Sequence, residues 1–88
     1  MIFATVLSLC LMSNPDPVDG CNDYIVDVAT TQGDCLDNLI NHSTRMANVW
    51  HDGKKLSAFL KEFHIVEPVS QLSDYDYTCR PVADRDIP

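Results

Sequence analysis

Apolar and polar positions separate most cleanly in the middle of the chain. From Asp34 to Trp50, the residues Leu36, Leu39, Ile40, Ser43, Met46, Ala47 and Trp50 recur three and four apart, while Asp37, Asn38, Asn41, Arg45 and Asn48 lie mostly off that line. Such spacing predicts an amphipathic helix. Gly33-Asp34 offers it an N-cap, Asp37 adds an acid to its first turn, and His51-Asp52-Gly53 breaks it, with Gly53 suited to a left-handed terminating position. A second periodic run follows: Leu56, Phe59, Leu60 and Phe63 on one side, with Lys54, Lys55, Ser57, Lys61 and Glu62 outside it and Asp52 available as cap. The short link between them predicts an αα-hairpin, about 34–51 and 53–64, with its apolar faces together.

The flanks carry weaker patterns. Tyr24, Ile25, Val28 and Ala29 form a helical stripe that Asn22 or Asp23 can cap, although "YIVDVATT" is also rich in β-favouring residues. A short helix is the expectation there. Pro68 disfavours helix at Glu67, so "IVEPVSQLS" is expected to be extended or turning, and "SDYDYTC" to be a short strand or a loop. "RPVADRDIP" reads as a flexible tail over 81–88. The expected fold class is therefore mainly α: a small disulfide-stabilised helical domain over 21–80, built around the αα-hairpin, with an extended C-terminal segment.

The first twenty residues pose a separate question. Ile2 to Met12 is an uncharged apolar run of eleven, within the roughly 7 to 15 residues of a secretory h-region. Asn14, Pro15, Asp16 and Pro17 follow it, and Val18-Asp19-Gly20 places small residues ahead of a cut before Cys21. Residues 1–20 are thus read as a signal peptide, and the protein as secreted and extracellular. The same run is too short for a membrane span, which takes about 20 apolar residues. The competing reading makes it an integral first strand or helix of an intracellular or viral accessory protein.

Cysteine count depends on that choice. Removing 1–20 removes Cys10 and leaves Cys21, Cys35 and Cys79 as disulfide candidates. An odd count implies one bridge plus a thiol that is buried, reactive or joined to another chain, so a disulfide-linked dimer is expected. Cys35 to Cys79 is slightly favoured as the bridge because it ties distant parts of the chain together, worth about 4 kcal/mol in the chain-entropy model. The absence of a C-x-x-C pair argues against a cysteine metal site.

Charge narrows the partners. Thirteen acids against six bases give a net charge of -7, which repels nucleic-acid phosphates. Nucleic-acid binding is not expected, and Lys54, Lys55 and Lys61 read as a solvated helix face. Asn41-His42-Ser43 is an N-glycosylation candidate at Asn41. Tyr75 and Tyr77 alternate with Asp74 and Asp76, so an extended segment would turn both rings one way and both carboxylates the other. Tyrosine suits a protein interface, and these four are the interaction candidates.

Catalysis is not expected. His42, His51 and His64 form no His-x-x-x-His pair, and neither a catalytic nor a cofactor or metal motif stands out. A meeting of Cys79 with a histidine, as cysteine hydrolases need, is permitted by any chain of this composition. The sequence is thus read as a small secreted protein that binds a protein partner such as a receptor, an extracellular ligand or effector with the build of a cytokine, pheromone or toxin. The alternative function is a secreted carrier of a small apolar ligand, held by Met46, Phe59 and Phe63.

Overall fold

The computed structural model describes residues 1–11 and 21–83. Its elements, in chain order, are strand β1 (Ile2–Leu11), strand β2 (Cys21–Ala29), helix α1 (Gln32–Val49), helix α2 (Gly53–Lys61), a 3-10 turn (Val69–Gln71) and strand β3 (Leu72–Val82). Helix and strand take 41% each of the described residues, which overturns the expected mainly helical fold. The three strands form one antiparallel sheet in the order β2-β1-β3.

The two helices lie on one face of this sheet. Leu7 and Leu9 of β1 join Met46 of α1, Leu56, Phe59 and Leu60 of α2, Ile65, and Leu72 and Tyr77 of β3 in one buried cluster. Alternation along β1 sends Ala4, Val6, Ser8 and Cys10 to the opposite face. The architecture is a two-layer α/β sandwich. β1 is its central strand, hydrogen-bonded on both sides, and a strand in that place is expected to be apolar and free of charge.

Ile2–Leu11, the apolar stretch of the expected signal peptide, is therefore the middle of the sheet. The cleavage site after Gly20 lies outside the described residues. The short helix expected at Tyr24, Ile25, Val28 and Ala29 is instead β2, because Tyr24, Ile25, Val26 and Val28 are strand-favouring residues with a partner strand to pair with. β3 continues through Pro81 and Val82, residues expected to belong to the tail; 84–88 lie outside the described residues. A domain that is helical throughout 21–80 is likewise not what forms.

The αα-hairpin is present with shifted bounds. α1 begins at Gln32 with Thr31 as its cap, the hydroxyl accepting from the Asp34 N–H at 3.1 Å, so Asp34 lies inside the helix rather than at its start. The buried line of α1 runs through Cys35, His42 and Met46, one residue off the expected face. Leu36 and Ile40 are left 45% and 60% exposed. Asp52 caps α2 by accepting from the N–H groups of Lys54 and Lys55, both at 3.2 Å. Gly53 opens that helix and has no positive φ; His64 takes the left-handed conformation beyond it, at φ 59°.

Two disulfides staple the fold, one between the layers and one within the sheet. Cys35 of α1 is bonded to Cys79 of β3, and Cys10 of β1 to Cys21 of β2, directly opposite it in the register. No cysteine is free. The expected odd cysteine, and with it the disulfide-linked dimer, is corrected: Cys10 supplies the fourth sulfur. The Thr5 hydroxyl of β1 lies 3.4 Å from both the Cys35 carbonyl and its sulfur, linking the central strand to the buried bridge.

β2 is joined to the connection after α2 through Glu67, whose carboxylate accepts from Asn22 at 3.1 Å and from the Tyr24 hydroxyl. Burial, this hydrogen bond and the charge of Glu67 push the Tyr24 phenol up to about 12. The folded chain then holds the Tyr24 proton at a pH where an unfolded chain, near the ordinary 10.0, releases it. Proton uptake favours the folded state in that window, so stability falls as pH rises from about 10 towards 12. Urea midpoints across this range should decline in wild type and decline less in Tyr24→Phe.

Candidate protein-binding site

The four interaction candidates are divided between the two faces of β3. Tyr75 and Tyr77 point to the helices: the Tyr75 ring lies 4.7 Å from Trp50, and Tyr77 lies over His42 at 6.2 Å. Asp74 and Asp76 are exposed on the opposite face. The alternation read from sequence is therefore present, but its aromatic half is turned inward. Tyr77 is only 8% exposed and belongs to the core.

His42 is held in the same region by a β-bulge. Between Thr5 and Val6 the register of β1 against β2 shifts, so Val26 is an extra residue. A bulge lets neighbouring side chains share one face. Val26 packs against the core while Asp27 also turns inward and accepts from His42 Nε2 at 3.0 Å. The His42 ring meets Phe63 edge-on at 5.3 Å. Among the described residues, His42 Nδ1 and the Tyr77 hydroxyl are buried without a hydrogen-bond partner.

Burial, together with the neighbouring Tyr75, holds the Tyr77 phenol well above its usual range, against an opposing influence from Arg45. A buried hydroxyl without a partner costs about 1–3 kcal/mol relative to an apolar group of the same shape. Tyr77→Phe should therefore raise stability by about 1–3 kcal/mol, read as a higher urea midpoint at constant slope. A clear loss would show that the hydroxyl has a structural partner.

Cys79, considered with histidine as a nucleophile, is covalently bound to Cys35. Among the described residues there is no cluster of three His, Cys, Asp or Glu able to hold a metal ion, and no helix long and apolar enough to cross a membrane. Asn41, the glycosylation candidate, is exposed on α1.

On the sheet face turned away from the helices, Asp23 accepts from Ser8 and pairs with Arg80 at 3.4 Å across β1. Asp74 and Asp76 flank the same strand, so this end of the face is acidic. Towards the other end lie Val6, Ile25 and Val28.

A concavity lies on the helices instead. A groove of about 530 Å³ runs between α1 and α2, lined by Arg45, Asn48 and Val49 from one and Lys55, Ala58, Phe59 and Glu62 from the other. Helical spacing brings 45, 48 and 49 to one edge, and 55, 58, 59 and 62 to the other. Arg45 crosses between them: its guanidinium lies 4.8 Å from the centre of the Phe59 ring and donates to Glu62 at 2.7 Å. Of the three side chains considered for an apolar ligand, Phe59 lines this groove, while Met46 is fully buried in the core.

Apart from Phe59, considered for an apolar ligand, these groove residues were not among the sequence candidates. Lys55 read as part of a solvated face and Phe59 as core, and each reading holds for one side of the residue. The available signal was that Arg45, Asn48 and Val49 face Lys55, Ala58 and Phe59 once the two helices are antiparallel neighbours. Among known protein families, curated proteins and solved structures, none matches this chain.

Proposed function

We propose that this chain is a small extracellular ligand or effector that binds another protein through the α1/α2 groove, with β1 retained as part of the working fold. The observation that carries the reading is the groove itself: an apolar floor of Val49, Ala58 and Phe59 between the cationic side chains Arg45 and Lys55. Its volume is within the range of specific binding sites, about 300–1,000 Å³, and its floor offers the kind of pocket that anchors a side chain of a partner. Two disulfides that use all four cysteines support an oxidising compartment.

Retention of β1 rests on packing. Leu7 and Leu9 supply two of the best-buried side chains, and β2 and β3 both pair with β1 rather than with each other. A secreted form would keep these residues after any processing.

The test is selection of binding peptides from a random displayed library on the full oxidised chain, repeated on Ala58→Trp, which fills the groove from an exposed helix position. Peptides that bind wild type, shift the amide resonances of Arg45, Lys55 and Phe59, and fail to bind Ala58→Trp support the groove. Peptides that bind both proteins equally, or none at all, contradict it.

A further inference from the structure

We infer that the groove takes an acidic, apolar-anchored segment of a partner protein: a short stretch with one bulky apolar side chain between carboxylates. This deepens the proposed function and rests on it. The first support is the uneven placement of charge. Of six basic residues in the whole chain, Arg45, Lys54, Lys55 and Lys61 belong to the helical hairpin, where they balance Asp34, Asp37, Asp52 and Glu62. The acids Asp23, Asp74 and Asp76 lie on the opposite side of the molecule. The excess of acid therefore lies outside the hairpin, and an approaching anionic segment meets least repulsion at the helices, beside Arg45 and Lys55.

The second support is the geometry around Arg45. Its guanidinium already lies over the Phe59 ring and donates to a carboxylate, that of Glu62. Five N–H donors leave capacity for a second carboxylate beside the first. Arg45 is half exposed, so those donors are reachable. Lys55 lies on the same groove, and among the described residues its ammonium forms no ion pair. Between the two cations, Val49, Ala58 and Phe59 give an apolar side chain its place.

A fatty acid combines the same two chemistries, a carboxylate and an apolar tail. The groove favours a protein segment over it because the concavity is open to solvent. A protein brings its own surface to cover an open groove, whereas a lone alkyl chain there stays half in water.

The experiment measures binding to the full oxidised chain by fluorescence anisotropy. The probe is a labelled synthetic peptide of about twelve residues with a central Leu-Phe pair flanked by Asp and Glu, beside a twin with Lys in place of the acids and a twin with Ala in place of Leu-Phe. Sodium oleate and phosphatidylserine vesicles form separate arms. The acidic peptide should bind, weaken with added salt, and lose at least about tenfold in affinity with Lys55→Glu, while both twins bind at least about tenfold more weakly. Lys55 is exposed, so this variant should keep its fold, checked by its unfolding midpoint.

Failure of the two readings can be told apart. Groove-specific peptides from the random library that lack acids would overturn the partner chemistry and leave the docking site standing. Equal binding of the three peptides, or binding of oleate or vesicles in preference to the acidic peptide, would also overturn it. Concentration-dependent association of the chain with itself, abolished by Lys55→Glu, would replace the partner by a second copy and overturn it as well.

Discussion

A chain begun at Cys21 should not fold. Such a chain lacks β1, and β2 and β3, which flank it, have no register with each other. It loses Leu7 and Leu9, each worth about 1.5–3 kcal/mol on full burial. It also loses the Cys10–Cys21 bridge, worth about 3 kcal/mol for a loop of that length, and the strand ladder on both sides of β1. A domain of this size has a total stability of roughly 5–15 kcal/mol, so the losses remove most or all of it. Circular dichroism and amide resonance dispersion of residues 21–88 should show a disordered chain. A cooperative thermal transition in that fragment would mean that the helical hairpin and its flanks form a core without β1. Within the full chain, Leu7→Ala should cost about 2–5 kcal/mol, and is the smaller version of the same test.

The second large effect belongs to the buried bridge. Cys35→Ala with Cys79→Ala should lower stability by about 4 kcal/mol, because the bridge closes a loop between residues 44 apart and restrains the unfolded chain accordingly. For a domain of this size, that corresponds to a fall in Tm on the order of 15–30 °C. Cys10→Ser with Cys21→Ser should cost less, about 3 kcal/mol, since its loop is shorter. Exposure also separates them. Cys35 is fully buried and Cys21 is exposed, so graded reductant should open Cys10–Cys21 first, followed by alkylation and mass mapping. Reversal of either order would place the mechanical weight of the fold on the sheet hairpin rather than on the tie between helix and β3.

The helices were legible because their apolar spacing persists over several turns and ends at a polar turn. Their faces were legible only to within one residue. On α1, Leu36 and Ile40 drew the expected stripe towards themselves, whereas the buried line passes through Cys35 and His42. His42 is buried because Asp27 meets it, and that meeting depends on a bulge in another strand. No local pattern contains it.

The strands were harder for a definite reason. An uncharged run such as Ile2–Leu11 suits a transported leader and a central strand equally, since both require apolar residues without charge. The strand itself is defined only by long-range pairing with β2 and β3. "YIVDVATT" was balanced between helix and strand, and pairing again decided it. By contrast, the alternation of tyrosine and aspartate in β3 survived as geometry, although the rings proved to be core. The Cys35–Cys79 bridge was legible through loop closure, while Cys10–Cys21 was hidden by the assignment of Cys10 to a leader. The groove was not legible because it belongs to neither helix alone.

The working protein is proposed to contain β1, held between two flanking strands and bonded through Cys10. The most direct test of this is non-reducing peptide mapping of the protein purified from its native source, using trypsin with Asp-N so that each of the four cysteines lies in its own peptide. The expected result is two linked pairs, Cys10 with Cys21 and Cys35 with Cys79, and recovery of the peptide containing Ile2–Leu11. A protein whose first residue is Cys21, with Cys21 free or bonded to another chain, would rule out retention of β1.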